Sequence, residues 1–366
     1  MVLVSIVGDF DSSILPIIYE YKKKLSKHIL LYDDFNRDVS RAKNIKRGIK
    51  KFKKSYGYSF ETLEYRVDED SLEALKECAS FLLTQAPSPQ KLFINTTDGF
   101  STLTTILNQA LFAKGVNFIA YDRYDNEYNL LNKNKLQKFS IQKSMKIEEH
   151  FILKGYGVQR SDVAEFAKKY KKEIKKLFEV QTREYDTFIK YPNTNKSIKE
   201  LPKEYNAVKK LFVSMGLAEF KIKDPIVTGT LFEAYVFNLL EKLEYDDIAV
   251  GLKIYRNYKN SKIENEFDIL IMKNNHLHML ECKYKNQLKL EELIYKYIAL
   301  SEVIDDDAQM ILVSKKEPAY SSKIDMDIEG GKIYKRGILS NIKVLGAVAQ
   351  KPQKFQFQVK NILRLP

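Results

Sequence analysis

The sequence predicts an α/β fold in two parts, and three observations carry that reading. Across residues 2–121, short runs of β-branched and aliphatic residues alternate with helix-length segments, the pattern of βαβ units on an open, mostly parallel sheet. Further on, two apolar runs flank Asn274-Asn275 within the stretch ENEFDILIMKNNHLHMLECKYK, the pattern of an antiparallel hairpin. Finally, 366 residues with 44% apolar and 30% charged content describe a soluble globular chain with room for two cores.

In the first part, strands are expected over 2–7, 28–32, 60–67, 91–95 and 116–121, with helices over 13–24, 39–54, 71–84 and 102–114. Ligands of such sheets collect at the carboxyl ends of the strands. Two ends stand out: Gly8-Asp9-Phe10-Asp11-Ser12-Ser13 and Asn95-Thr96-Thr97-Asp98-Gly99-Phe100-Ser101-Thr102. Neither holds G-x-G-x-x-G or a P-loop pattern, so a dinucleotide or P-loop site has no support. Both offer hydroxyls and backbone amides at helix starts, which suit phosphate or ribose. Ser12, Ser13, Ser101 and Thr102 read equally well as helix caps and turn residues.

Residues 161–180 place Val163, Phe166, Tyr170, Ile174 and Leu177 at helical spacing, and lysines fill much of the rest. That run reads as the solvated face of an amphipathic helix or as a funnel for nucleic acid. The lysines at 50, 51, 53 and 54 carry the same two readings. Pro192, Asn193, Asn195 and Pro202 mark 185–203 as an exposed connection, followed by a small helical element over 203–223.

The last part opens with Thr228-Gly229-Thr230-Leu231-Phe232-Glu233, leading into a helix with apolar Phe232, Tyr235, Val236, Leu239, Leu240 and Leu243. Thr230 and Glu233 fit a capping box, which accounts for the glutamate without any chemistry. A strand over 250–258 follows, with Arg256 and Lys259 as candidate phosphate contacts. A two-residue turn at Asn274-Asn275 sets Lys273 against His276, and therefore Asp268 against Glu281 and Glu266 against Lys283. Side chains alternate along a strand, so all four charged residues share one face. Facing carboxylates repel unless a cation sits between them, and a hard divalent ion with oxygen ligands meets that need. The remainder of both faces is apolar, as in the middle of a covered sheet, where charge is costly. An ordinary ion pair between Glu266 and Lys283 is the alternative. A helix over 288–303 and a further strand over 309–314 follow the hairpin. His276 and His278 lie on the other face with no third ligand at a zinc spacing.

Asp268 on one strand with Glu281-Cys282-Lys283 on the next resembles the PD-(D/E)XK nuclease superfamily, although no proline precedes Asp268. The resemblance implies that Asp268, Glu281 and the Cys282 carbonyl hold Mg²⁺ or Mn²⁺, while Lys283 orients the attacking water. Gly229-Thr230-Leu231-Phe232-Glu233 is similar to the Gly-x-x-Leu/Phe-Glu segment before the hairpin in related nucleases, which adds Glu233 to the site. A βαβ domain followed by such a nuclease resembles the CRISPR-associated ancillary nucleases of the Can/Card kind, whose CARF domain senses cyclic oligoadenylate. Their loop after the fourth strand commonly reads Asn-x-Thr-Gly-Gly-Thr-Lys. This chain matches at Asn95, Thr97 and Gly99 but has Asp98, Phe100 and Ser101 where Gly, Thr and Lys are usual.

The resemblance implies a Rossmann-like CARF domain over 1–145, a helical linker or accessory segment over 146–223 and a restriction-endonuclease-like domain over 224–366. It further implies a homodimer in type III CRISPR antiviral defence. A cyclic oligoadenylate activator, taken as cyclic tetra-adenylate, would bind at Gly8, Asp9, Phe10, Ser12, Asn95, Thr97, Gly99, Ser101 and Thr102, and the substrate would be DNA, RNA or both. A net charge of +13 suits such polyanionic partners. Cys78 and Cys282 read as free thiols of a reducing compartment, and no run is long and apolar enough to span a membrane, so a cytoplasmic location is expected. A restriction- or repair-type DNA nuclease without second-messenger control and a non-catalytic nucleic-acid-binding regulator are the other readings.

Overall fold

A run of aliphatic residues that alternates between two apolar faces can only be satisfied by helices on both sides. The first sheet is built that way. The computed structural model describes residues 1–8, 13–33, 36–98, 101–191, 195–255, 265–284, 300, 303–304, 308–315, 342–346, 348 and 351–365. They divide into two units: Met1–Val158 with 254–255 and Met272–His276, and the remaining described residues from 159 onward.

In the first unit, β1 (Val2–Ile6), α1 (Leu15–Tyr21), β2 (Lys27–Tyr32), α2 (Asn36–Tyr56), β3 (Glu61–Arg66), α3 (Leu72–Thr84), β4 (Leu92–Asn95), α4 (Ser101–Leu111) and β5 (Asn117–Asp122) follow one another. Two more strands, β6 (Glu127–Asn132) and β7 (Lys135–Ser140), precede α5 (Ile147–Leu153). The sheet order is β3-β2-β1-β4-β5-β6-β7. Strands β1 to β5 pair in parallel, and β6 and β7 are added antiparallel. Leu3 and Leu30 face the buried side chains of α1 and α2. Val2, Val4, Ile6, Ile29 and Leu31 face those of α3 and α4. Chain reversal beyond β1 puts neighbouring strands on either side of it, a Rossmann-like winding with β1 and β4 side by side. The expectation stopped at five strands. β6 and β7 escaped because their residues are mostly polar, Lys- and Asn-rich, and largely exposed on β7, so no apolar alternation marks them.

The second sheet has the order β13-β12-β11-β10-β9-β8. Its strands are β8 (Gly157–Gln159), β9 (Asp247–Tyr255), β10 (Asn265–Lys273), β11 (His276–Lys283), β12 (Met310–Ser314) and β13 (Ile342–Leu345). Ahead of β9 come α6 (Val163–Lys169), α7 (Lys171–Glu179), α8 (Thr182–Phe188), α9 (Asn206–Ser214), a π-helical turn (Ile226–Thr230) and α10 (Leu231–Leu240); α11 (Pro352–Ile362) ends the chain. Ile269, Ile271, Leu280, Cys282 and Tyr284 on one sheet face join the core made by these helices. The single helix expected over 161–180 is two, because the chain leaves helical geometry at Tyr170 (φ −110°, ψ 28°). The connection expected to be exposed over 185–203 carries buried residues: Tyr185 and Phe188 have no exposed surface and pack against Phe212, with Tyr185 also against Tyr284. Pro192 and Asn193 lie outside the described residues, and the aromatic residues on either side of them set the packing. The expected helix over 288–303 falls outside the described residues apart from 300 and 303, as do Arg256 and Lys259.

Candidate functional site

The hairpin turn is formed as the two asparagines demand. Asn274 and Asn275 both take left-handed backbone, φ 51° and 64°, the pair of conformations of a type I′ turn. β10 ends at Lys273 and β11 begins at His276, which leaves two residues in the loop. Asp268 and Glu281 are therefore brought together across the strands. The Cys282 N–H donates to Asp268 Oδ2 at 2.7 Å, and Lys283 Nζ reaches Glu281 Oε1 at 2.6 Å and Asp268 Oδ2 at 3.7 Å. Glu281 is 2% exposed. Lys283 thus spans the facing carboxylates, while Glu266 pairs with Lys253 on β9 at 3.5 Å. The alternative Glu266–Lys283 ion pair gives way to this arrangement, in which Lys283 reaches two carboxylates and Glu266 pairs with Lys253.

Glu233 enters from α10. The capping box that would have explained it does not form: Thr230 has helical backbone and makes no side-chain cap, because the π-helical turn runs straight into the helix. Gly229, one turn earlier, leaves space such that even an added Cβ would stand 3.7 Å from the Glu233 carboxylate. Burial, and then the charge of Asp268, pushes the Glu233 pKa from 4.5 up to about 8, against the opposing pull of Lys283. Burial presses the Lys283 ammonium the other way, but Asp268 and Glu281 outweigh it and its pKa stays above the ordinary value. Burial also keeps the Cys282 thiol protonated.

These donors fit a hard divalent ion in kind: two carboxylates, a main-chain oxygen at Cys282 and a third carboxylate at Glu233. Among the described residues, no three side chains of the His, Cys, Asp and Glu types gather as a metal cage. A cation here would rest on Asp268 and Glu281, with the main chain and water completing its shell.

The second candidate site lies on the loops after β1 and β4, which touch. A Cβ on Gly8 would fall 2.0 Å from the Asp98 carbonyl oxygen, so only glycine lets the two loops meet. Asn95 is buried behind them: its Nδ2 donates to the Ser13 carbonyl at 3.0 Å, and its Oδ1 accepts from the Thr97 hydroxyl at 2.5 Å. Thr102 is exposed on the first turn of α4. Asp9, Phe10, Ser12, Gly99 and the side chain of Ser101 lie outside the described residues. One contributor had no sequence signal: Arg41 on α2 donates its guanidinium to the Gly8 carbonyl. It is one of many basic residues on α2, and only the fold carries it to the loop.

Comparison with known proteins gives a consistent fold. Residues 221–320 match the family described as Card1-like, endonuclease domain, so the chain carries such a domain. No curated protein matches. Among solved structures, protein VC1899 from Vibrio cholerae superposes with a TM-score of 0.72 at 13% identity, covering 98% of this chain and 97% of that one. Can2 from Sulfobacillus thermosulfidooxidans, solved in complex with cyclic tetra-adenylate, superposes at 0.66 with 15% identity and 98% coverage of both chains. A type III CRISPR defence DNA nuclease activated by cyclic oligoadenylate matches at 0.53 with 12% identity, over 92% of this chain and 51% of the other. At such identities what is shared is the fold: an N-terminal Rossmann-like sheet followed by a Card1-like endonuclease domain.

Proposed function

We propose that the chain is a divalent-metal-dependent nuclease of type III CRISPR antiviral defence, active as a homodimer and switched on by a cyclic oligoadenylate. The carrying observation is the facing pair Asp268–Glu281, of which Glu281 is nearly shut off from water, spanned by Lys283 and flanked by Glu233. Two acids with a lysine in the middle of a sheet cost stability, and the endonuclease-domain match over the same residues supports their use in phosphodiester cleavage.

Asp268, Glu281 and the Cys282 carbonyl would hold Mg²⁺ or Mn²⁺, which supplies hydroxide near neutral pH and counters charge building on the phosphate. Lys283, already within reach of both carboxylates, would orient the attacking water. Glu233 is poised to carry a proton at neutral pH, so it can hold or release one beside the reacting group. The Cys282 N–H fixes Asp268 Oδ2.

The sensor reading draws on the Can2 fold, solved with cyclic tetra-adenylate, and on the meeting of the two loops at Gly8 and Asp98. Backbone amides and hydroxyls at Gly8, Asp9, Phe10, Ser12, Asn95, Thr97, Gly99, Ser101 and Thr102 would line the pocket. A ring of four identical nucleotides has a twofold axis, which identical loops from two copies match.

The test is cleavage of labelled single-stranded RNA, single-stranded DNA and supercoiled plasmid with Mn²⁺, with and without cyclic tetra-adenylate, for wild type beside Glu281→Ala. Activator-dependent cutting lost in the variant is expected. Cutting without any response to activator would keep the nuclease and remove the sensor; no cutting under any condition would leave a nucleic-acid-binding protein.

A further inference from the structure

Hydrogen bonds in the first unit run unbroken from the loop after β4 to the turn of the β10–β11 hairpin. Asn95 ties Ser13 to Thr97, and Thr97 Oγ1 accepts from the Tyr121 N–H at 2.8 Å. The Tyr121 phenol donates to Asn126 Oδ1 at 3.0 Å. That same oxygen accepts from Asn275 Nδ2 at 2.9 Å, and Asn275 Oδ1 accepts from the Met145 N–H at 2.8 Å. His276, next in the turn, bonds through Nε2 to the Arg123 carbonyl. All of these residues belong to the unit of Met1–Val158 and Met272–His276.

Two features set this line apart from incidental contacts. Asn95, Tyr121, Asn126 and Asn275 are all buried, so none can exchange its partner for water without cost. Asn126 and Asn275 also hold left-handed backbone, φ 53° and 64°, where asparagine is one of the few tolerated residues. At each position the same residue sets the turn and makes the bond. Asp268 and Glu281 lie six residues to either side of this turn along continuous strands.

Building on the proposed function, we propose that Tyr121, Asn126 and Asn275 are positioning residues that couple occupancy of the loops after β1 and β4 to placement of the hairpin bearing Asp268 and Glu281. Thr97 is the sensing end. Its hydroxyl has one proton, now given to Asn95, and a phosphate or ribose oxygen that takes that proton favours another χ1 rotamer, which carries Oγ1 itself away from β5. The Tyr121 N–H then loses its acceptor, β5 and its turn readjust, and the bond from Asn126 carries the change to Asn275. Ligand and hairpin are linked because the bonds differ between the two states.

Two readouts with separate causes test this on the full chain. Asn275→Gly keeps the left-handed turn and removes the carboxamide. Without any ligand, amide hydrogen exchange at Tyr121 and over 95–98 should quicken at least about fivefold in this variant. Quickening confined to the hairpin and Met145 would overturn the coupling. Tyr121→Phe should bind cyclic tetra-adenylate as wild type does and keep basal cleavage, while stimulation by the activator falls at least about fivefold. Unchanged stimulation would overturn it as well. If wild type itself shows no stimulation, the sensor reading fails, and the exchange experiment still decides whether turn and loop are coupled.

Discussion

The two sheets bury polar side chains in opposite ways. At the centre of the first, His28 on β2 meets Ser5 on β1 through Nε2 at 3.0 Å, and burial drives the imidazole pKa down to about 3, so the pair is neutral. In the second, Asp268, Glu281 and Lys283 are packed together as a charged set that is buried at Glu281 and partly open at Asp268 and Lys283. A neutral pair costs a sheet little once it is hydrogen-bonded; a charged set costs much more and persists where it is used. On the proposed reading, the first sheet is scaffold at its centre and offers its chemistry at its loops, whereas the second offers chemistry from the strands themselves.

The largest effects should come from disturbing the charged set. Glu281→Ala should lower cleavage on the order of 100-fold or more, as losing a group that stabilises transition-state charge does. Lys283→Met leaves Asp268 and Glu281 facing each other without the lysine charge between them, and should cost about 3–5 kcal/mol in denaturant unfolding without metal. Adding Glu281→Gln to Lys283→Met should recover much of that loss. A Lys283→Met variant as stable as wild type would mean that the set is not electrostatically coupled, and the contrast between the sheets would fall.

The pH dependence of stability should differ in sign between the units. Glu233 titrates at about 8 in the folded chain against an ordinary 4.5, so between those values the folded state binds more protons than the unfolded one. Its contribution to stability therefore falls as pH rises through that window. His28 titrates at about 3 against 6.5, so the folded state binds fewer protons there, and its contribution falls as pH drops from 6.5 toward 3. In chelator, Glu233→Gln should be more stable than wild type by roughly 1–3 kcal/mol at pH 8 and close to it at pH 4.5. His28→Gln should flatten the acid limb only. Slopes of the same sign in both variants would contradict the two burial modes.

How much of this was legible follows from the residues. Period-two alternation and one Asn-Asn turn sufficed to pair Asp268 with Glu281, because a two-residue loop leaves a single register. The five parallel strands announced themselves by aliphatic runs, but β6 and β7 did not, since an edge hairpin facing water needs no apolar alternation. Glu233 had two readings in the sequence, and the π-helical turn removed the capping one, a backbone detail no motif encodes. Arg41 at the Gly8 carbonyl and the Tyr121–Asn126–Asn275 line join residues far apart in the chain, so only the fold brings them together.

A smaller effect belongs to the loops of the first sheet. Gly8→Ala forces a Cβ against the Asp98 main chain, which must shift to receive it. The expected cost is about 1–2 kcal/mol in thermal or denaturant unfolding, with weaker binding of cyclic tetra-adenylate. An unchanged melting temperature with intact binding would show that the loops open freely and that their contact does not shape a pocket.

The smallest effect separates the hairpin from ion pairs of the same chemistry on the surface. Lys171 reaches Glu241 at 2.5 Å, as close as Lys283 reaches Glu281, yet the two side chains are 46% and 25% exposed. Water already screens such a pair, and ordering two long side chains offsets most of the attraction. Lys171→Gln should therefore change stability by less than about 0.5 kcal/mol, with a dependence on salt that the hairpin set does not share. The neighbouring Lys168 and Lys175 also have acidic partners, Glu241 at 4.0 Å and Glu179 at 3.8 Å, which lessens the field this face projects. Replacing Lys168, Lys172 and Lys176 together by Gln should alter the Kd for a single-stranded oligonucleotide less than about threefold, well below what three lost phosphate contacts would cost. A larger loss, with a shallower salt slope, would make α6 and α7 part of the substrate path. Exposed charge in this protein would then be as functional as the buried kind.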